Sequence, residues 1–347
     1  MKHTSRLRKA ARISLILFFA VIVAGSVVRT TGSGMGCPDW PKCFGYLVPP
    51  TDIEPLLFHA AHTYEKGQMV VQSDTLWVAN EGFLSGEKFQ RTNWHKYPKH
   101  DYAIFNPVQT WIEYVNRLAT AVFAIPVLLM CVFAFQRMRK TGDRLTLMLA
   151  LGSMVFIGFE AWLGKLVVDG NLATSSVSLH MIGSLAIILC IMGVLVRIAE
   201  RKGESTLPRG VCTLLILSLL LSIVQMMLGI QVREETDVIA GANSDRSQWI
   251  GMMGIVFYVH RSFSILVVVL SGFVWWKLRH HELVSWGRAL AAIVGLEVFA
   301  GIVLAYFSMP AFMQPLHLLF AVMIFSLSAY FLLRLAKQKT NPAHTNH

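Results

Sequence analysis

Charged residues are scarce in this sequence: Asp, Glu, Lys and Arg make up 15% of its 347 residues. An average soluble domain contains about 25%. Hydrophobic residues account for 54%, and the mean hydropathy is +0.54. Several apolar runs approach the roughly 20 residues that a helix needs to cross a bilayer. These values exclude a pair of soluble domains, which the length alone would allow, and they predict a multi-pass membrane protein.

Cysteine is also scarce, with five in the chain. Cys131, Cys190 and Cys212 fall in apolar runs, where cysteine behaves as a small buried residue. Cys37 and Cys43 lie in a polar segment, and two cysteines at this spacing readily form a disulfide in an oxidising compartment. A reactive pair of free thiols is the alternative interpretation of Cys37 and Cys43.

Eight apolar runs divide the sequence. They cover residues 13–28, 107–136, 145–168, 174–198, 209–232, 252–277, 286–307 and 311–335. Asn106-Pro107 and Met309-Pro310 are predicted helix starts, because proline is favoured in the first turn of a helix. We interpret the first run as a retained helix and not as a signal peptide, because the repeat described below requires it. The predicted fold is an all-α membrane protein with eight transmembrane helices.

The net charge of +11 does not indicate nucleic-acid binding, because the basic residues cluster between apolar runs. Three connections are short and rich in basic residues: 137–144, 197–209 and 277–288. The opposite connections, 169–173, 233–251 and 308–310, have only two basic residues, Arg233 and Arg246. The positive-inside rule therefore predicts that both termini are cytoplasmic. The long loop 29–106 and segment 233–251 are then outside. We expect a multi-pass protein of the cell's inner (cytoplasmic) membrane.

Runs one to four resemble runs five to eight. The matching pairs are Gly25–Arg29 with Gly229–Arg233, Tyr114–Arg117 with Tyr258–Arg261, Glu160 with Glu297, and His180 with His317. The offset falls from 204 to 144 residues between the first two pairs, so the first connection is about 60 residues longer. The sequence predicts two pseudo-symmetric four-helix halves, residues 1–200 and 201–347, inserted the same way up.

Three histidines share a predicted depth near the outer surface. His180, His260 and His317 each follow a helix start by about six to nine residues, or roughly 9–13 Å. Two helices that each offer one imidazole can hold a haem inside a bundle. We favour this interpretation for the pair His260 and His317, and their repeat relation extends it to His180. A packing histidine is the alternative, while zinc or copper would need three converging ligands.

Several charged residues accompany the histidines. Arg117 and Arg261 directly follow the Asn116 and His260 positions, so they are candidate partners of haem propionates. Pairing with a glutamate or reaching toward the interface is the alternative. Arg29 and Arg233 lie at outer helix ends, where an interfacial role and a contact with haem are equally consistent with the sequence. Glu160 and Glu297 are expected to serve packing and hydrogen bonding at close helix contacts, and a haem-adjacent role is the less favoured alternative for Glu160.

Glu113 has no acidic counterpart, because its repeat mate is Phe257. A carboxylate in an apolar helix is costly unless it is paired or protonated. It is a candidate general base, nucleophile or stabiliser of developing positive charge. An ion pair with Arg117, four residues later, is the structural alternative. The asymmetry favours a site for chemistry in the first half and an electron-transfer site in the second.

The rest of the long loop gives weaker signals. Residues 44–106 show no strong periodicity. Its histidines, His59, His62, His95 and His100, are too loosely spaced for a metal site, and we favour solvated surface.

Taken together, the motifs resemble those of haem A synthases. They are Gly36–Cys43, Glu113–Arg117, Leu179-His180, Tyr258–Arg261 and Pro315–His317. The resemblance covers the whole chain. It implies oxidation of the C8 methyl group of haem O to the formyl group of haem A, via a hydroxymethyl intermediate, for the terminal oxidase.

The resemblance also assigns roles to residues. It implies haem b held by His260 and His317 in the second half, and substrate haem O in the first half with Glu113 as catalytic carboxylate. The usual first-motif histidine is replaced by Asn116, so His180 alone is expected to ligate the substrate iron. Segment 233–251 lacks the second cysteine pair found in some members.

The resemblance implies partners as well. These are haem O synthase, oxidase assembly factors, an unidentified electron acceptor and, as an open option, further copies of the chain. Two rival functions remain, a bis-histidine cytochrome that only transfers electrons and a transporter with parallel repeats. Glu113 distinguishes a haem A synthase from the cytochrome, because an electron carrier does not need a carboxylate in one half only.

Overall fold

The computed structural model describes residues 2–98, 105–169, 174–199, 210–281 and 283–339. Nine α-helices form within them: α1 Lys2–Thr30, α2 Pro107–Thr141, α3 Arg144–Asp169, α4 Thr174–Ile198, α5 Val211–Ala242, α6 Trp249–Met252, α7 Ile255–Leu278, α8 Val284–Tyr306 and α9 Met313–Lys339. All except the short α6 are long and apolar enough to cross a membrane. The prediction of an all-α protein with eight transmembrane helices is confirmed.

Helix ends follow local backbone chemistry more than hydropathy. Helix α2 begins where predicted, because the Asn106 side chain accepts hydrogen bonds from Val108 N and Gln109 N and Pro107 fills the first turn. It ends at Thr141, because the next residue, Gly142, has a φ of 72°. Helix α9 begins at Met313, three residues after the predicted Pro310, since Ser308 and Met309 have positive φ.

Helix α5 is longer than its apolar run. It continues to Ala242, whereas the run ends at residue 232. The extra turns carry Arg233 and Asp237, so hydropathy marked the membrane part of this helix and not its end.

The transmembrane helices pack in two circuits. Helix α1 contacts α2, α2 contacts α3, α3 contacts α4, and α4 returns to α1. Helices α5, α7, α8 and α9 repeat this order of contacts. The helices that carry the candidate ligands, α2 with α4 and α7 with α9, therefore lie at opposite corners of their circuits.

The two circuits meet through contacts of α9 with α1 and α4, and of α4 with α5. Phe18, Phe123, Ile188 and Phe325 belong to the largest buried apolar cluster, which joins both circuits. The pseudo-twofold relation between the halves remains a prediction. So does the domain boundary at residues 200 and 201, which lies outside the described residues.

The connection between α1 and α2 contains short strands that the sequence did not predict. They are β1 Thr63–Tyr64, β2 Met69–Gln72, β3 Thr75–Ala79, β4 Phe83–Leu84 and β5 Trp94–Lys96. Strand β1 pairs with β4, and β3 lies between β2 and β5, all antiparallel. Strands of two to five residues are too short to show alternation, which explains why this segment showed no periodicity.

Candidate functional site

His260 on α7 faces His317 on α9 across the second circuit. Their ring centroids are 6.2 Å apart and their planes are inclined at 79°. With metal–nitrogen distances of about 2 Å on each side, two imidazoles on opposite faces of one ion have centroids roughly 6 Å apart. The separation of His260 and His317 therefore fits two axial ligands of one haem iron.

In each half, one histidine has a glutamate carboxylate in contact with its Nδ1 atom. His317 Nδ1 lies 3.2 Å from Glu297 Oε1, and His180 Nδ1 contacts Glu160 Oε2. Glu160 also accepts a hydrogen bond from Ser184 Oγ at 3.3 Å. We expected Glu160 and Glu297 to act at close helix contacts. The sequence did not predict that their partners would be the candidate haem ligands.

Helices α1 and α5 each present a glycine to the second helix of their half. A Cβ added to Gly229 would lie 3.3 Å from His260 Cε1, and one added to Gly25 would lie 3.7 Å from Asn116 Oδ1. The Asn116 oxygen is buried and makes no hydrogen bond with the described residues. An orphaned buried acceptor at this position fits a group that still has to bind there.

Gln225, one turn before Gly229, was missed by sequence reasoning. Its side-chain Nε2 donates to the His260 carbonyl oxygen at 3.1 Å and lies 3.4 Å from His260 Nε2. The feature of the sequence that could have identified Gln225 is its side-chain amide within an otherwise apolar run. Its repeat mate is Val21, so this polar contact is specific to the second half.

Glu113 on α2 is buried, with 4% of its surface exposed. One carboxylate oxygen accepts from Cys37 N at 2.8 Å, and the other accepts from Arg117 at 2.5 Å. The ion pair with Arg117 that the spacing suggested is therefore present. It involves the cysteine loop as well as α2, and the chemical role of Glu113 remains a prediction.

The predicted disulfide between Cys37 and Cys43 is present, and α2 holds the loop that it closes. Arg117 donates to the carbonyl oxygens of Asp39 at 2.7 Å and Lys42 at 3.0 Å. Thr110 Oγ1 donates to the Gly36 carbonyl oxygen at 2.8 Å. Residues 36–43, the cysteine loop, are thus fixed to the helix turns that carry Glu113.

Asp39 belongs to the same loop. Burial raises the pKa of its carboxyl group, although hydrogen bonds from the loop backbone and the charge of Arg117 act in the opposite direction. The Gly45 amide donates to this carboxyl group at 2.9 Å. The acid is therefore part of the loop's internal hydrogen bonding.

The two candidate propionate partners have different surroundings. The Arg117 guanidinium contacts Glu113 and the loop carbonyls described above. Arg261 is exposed and lies over the rings of Tyr258 and Phe257, at 5.5 and 6.0 Å from their centroids. A role in cofactor binding remains a prediction for both arginines.

Arg29 and Arg233, which are repeat mates, converge on Asp237. Arg29 Nη2 lies 3.0 Å from the Asp237 carboxylate, and Arg233 contacts the same carboxylate and the side chain of Gln314. Arg233 also donates to the Arg29 carbonyl oxygen at 3.1 Å. We predicted an interfacial location for both arginines, but neither Asp237 nor Gln314 was identified. These contacts join α1 of the first circuit to α5 and α9 of the second.

The loop histidines make ordinary polar contacts. His95 Nδ1 lies 2.7 Å from Asn80 Oδ1, and His59 Nε2 lies 2.9 Å from the Glu54 carbonyl oxygen. Within the described ranges, no group of three or more His, Cys, Asp or Glu side chains is arranged to hold a metal ion. His100 lies outside those ranges.

Known proteins resemble this chain over most of its length. A family model described as cytochrome oxidase assembly protein, COX15-CtaA, matches residues 8–75 and 66–329. A heme A synthase of Shewanella oneidensis is 26% identical over 221 residues, which cover 63% of this chain and 54% of that protein. The match thus spans about half the length of that relative.

Two further relatives match at nearly full length. A heme A synthase of Flavobacterium johnsoniae is 23% identical over 356 residues, covering 93% of this chain and 95% of that protein. One of Flavobacterium psychrophilum is 23% identical over 354 residues, with 92% and 95% covered.

Proposed function

Because this chain belongs to the cytochrome oxidase assembly protein family, we propose that it is a haem A synthase. It is then a membrane oxidoreductase that converts the C8 methyl group of haem O to the formyl group of haem A, via a hydroxymethyl intermediate. The observation that carries this proposal is the difference between the halves. One half has facing histidines 6.2 Å apart, and the other has the buried carboxylate of Glu113.

In the second half, His260 and His317 hold haem b. This cofactor supplies one-electron redox chemistry when it is bound. Gln225 fixes α5 against the His260 backbone, and Gly229 leaves room for the His260 ring. These two contacts set where the His260 backbone and ring lie against α5.

In the first half, His180 ligates the iron of substrate haem O. Asn116 occupies the position of a second ligand, and an amide oxygen is a poor ligand for haem iron, so that face of the iron is left open to the site. Glu113 is the catalytic carboxylate in this half. It accepts a proton from the methyl carbon while the electrons removed from that carbon pass to the electron acceptor, or it stabilises positive charge that develops there.

The charge pattern supports a position in the inner (cytoplasmic) membrane with both termini in the cytoplasm. The cysteine loop is then outside, where disulfides persist. Haem O synthase, oxidase assembly factors, an electron acceptor and further copies of this chain are the proposed partners.

The test is expression in a host that makes haem O but not haem A, followed by extraction and chromatography of the haems. We expect hydroxylated haem and haem A in addition to haem b. Protein that carries haem b but yields neither product would support the rival function, a bis-histidine cytochrome that only transfers electrons.

A further inference from the structure

We propose that Glu297 and Glu160 are positioning residues for the histidine ligands, and that Glu297 lowers the reduction potential of the haem in the second half. This inference rests on the proposed function only in requiring that His317 and His180 bind haem iron. It concerns the two carboxylates, to which sequence analysis gave a packing role.

The contacts in the two halves correspond. Glu297 on α8 reaches His317 on α9 at 3.2 Å, and Glu160 on α3 contacts His180 on α4. Both Nδ1 atoms are buried and have no hydrogen-bond partner among the described residues, so the glutamate contact of each is one of ion-pair distance. Two glutamates at equivalent repeat positions thus contact the same atom, Nδ1, of two equivalent histidines.

The chemistry of imidazole explains what such a contact does. A carboxylate near Nδ1 keeps the proton on that nitrogen and leaves Nε2 to bind the metal. It also makes the imidazole a stronger electron donor, because the Nδ1–H bond is polarised. A stronger donor stabilises ferric iron over ferrous iron and therefore lowers the reduction potential.

The opposite ligand lacks this contact. No acidic side chain of the described residues lies within ion-pair distance of His260, and the amide of Gln225 is its polar neighbour. The two axial ligands of one iron would therefore differ in donor strength. Glu297 would set the potential through His317 alone.

The first half holds its carboxylate more firmly. Ser184 donates to Glu160, and Gly183 leaves the space that the carboxylate occupies, since a Cβ there would collide with it. The equivalent positions in the second half are Phe320 and Ala321. Glu160 is therefore suited to hold a single ligand, His180, in place while substrate enters and product leaves.

The experiment compares the purified protein with Glu297→Gln and Glu297→Asp, with Glu235→Gln as control. Glu235 is also a carboxylate in a helix, but it accepts from the Gly254 amide, at 2.6 Å. Haem b content is measured by absorbance, and the midpoint potential by redox titration. We expect Glu297→Gln to keep haem b and raise the potential, whereas Glu235→Gln leaves it unchanged and Glu297→Asp falls between.

Each outcome decides the inference. Full haem b with the wild-type potential in Glu297→Gln would overturn it. If Glu297→Gln loses haem b, retention in Glu297→Asp supports a role for the acceptor carboxylate, and loss in both variants contradicts it. A wild-type protein that binds no haem b would instead defeat the proposed function.

Glu160 is tested by the haem retained. We expect Glu160→Gln to purify with less haem O per haem b than wild type, and Ser184→Ala to show a smaller loss in the same direction. An unchanged ratio in Glu160→Gln would remove Glu160 from the inference.

Discussion

The amide of Cys37 donates a hydrogen bond to the Glu113 carboxylate at 2.8 Å, although 76 residues separate them in the chain. A loop closed by a disulfide therefore supplies one of the two hydrogen bonds to this acid, and Arg117 on the same helix supplies the other. Any change that lifts the loop from α2 should alter Glu113, even when α2 itself is intact.

Gly36→Ala should lift the cysteine loop. A Cβ at this position would lie 2.5 Å from the Gln109 carbonyl oxygen and 2.8 Å from Thr110 N, and backbone atoms cannot move aside as a flexible side chain can. We expect the free energy of unfolding in detergent to fall by about 1–3 kcal/mol, as for a lost set of buried hydrogen bonds. The yield of haem A should fall as well.

The control for Gly36→Ala is Gly82→Ala in the same connection. The nearest atom to a Cβ there would be the Tyr64 carbonyl oxygen at 3.6 Å, an ordinary contact. Equal losses of stability in Gly36→Ala and Gly82→Ala would show that the close approach to α2 has no special importance.

Glu113→Gln should leave haem b bound and stop the oxidation. The amide keeps the shape of the side chain but can neither take up a proton nor offset positive charge. Loss of a general base typically costs about 100-fold or more in rate. Haem A and hydroxylated haem are measured by chromatography, with the exposed Glu81→Gln as control. Wild-type product from Glu113→Gln would remove Glu113 from catalysis.

Gly229→Ala should weaken haem b binding. Its Cβ would lie 3.3 Å from His260 Cε1, so the ring must shift by a few tenths of an ångström. Gly241→Ala on the same helix meets no atom of the described residues within 4 Å and should be neutral or stabilising by about 0.5–1 kcal/mol. Haem b per protein is measured by absorbance, and equal content in both variants would contradict the prediction.

Asp143→Asn should change how stability depends on pH. The carboxylate joins Arg137 at 3.2 Å and Arg197 at 2.8 Å. Burial opposes ionisation, but hydrogen bonds from Thr146 and Arg197 prevail and lower the pKa of Asp143 from 3.8 to about 2. Because the pKa of Asp143 is lower in the folded than in the unfolded state, its ionised carboxylate stabilises the fold at pH values above the unfolded pKa. This stabilisation is lost as the pH falls through the folded pKa.

The contribution of Asp143 is on the order of 1–2 kcal/mol once solvent screening of the half-exposed Arg197 is allowed for. We expect Asp143→Asn to melt at a lower temperature near neutral pH and to lose less stability than wild type between pH 4 and pH 2. The exposed Asp52→Asn is the control. A wild-type melting profile in Asp143→Asn would show that the three-residue contact adds no stability.

Much of the architecture could be predicted because one physical signal governs it. A helix that crosses a bilayer must be apolar over its length, so the runs located all eight helices. The register of motifs between halves marks His180, His260 and His317 as candidate ligands from the sequence alone. Asn106 and Pro107 fixed the start of α2 through local hydrogen bonding, which a sequence displays directly.

The remaining features depend on contacts between distant segments. Glu160 and Glu297 were recognised as repeat mates, but only the packing of neighbouring helices reveals their contacts with His180 and His317. The five strands depend on pairing within a loop whose strands are too short to show a pattern. The cysteine loop could be identified from sequence, but not its position over Glu113.

The contact of Arg29 with Asp237 also makes the pairing of the halves directional. Arginine recurs in both halves, at Arg29 and Arg233, but the residue that corresponds to Asp237 at the same offset is Ser33. Two first halves from different chains would bring like charges together without an acid between them. A first half therefore meets this acid only when it packs against a second half, which disfavours the pairing of two first halves.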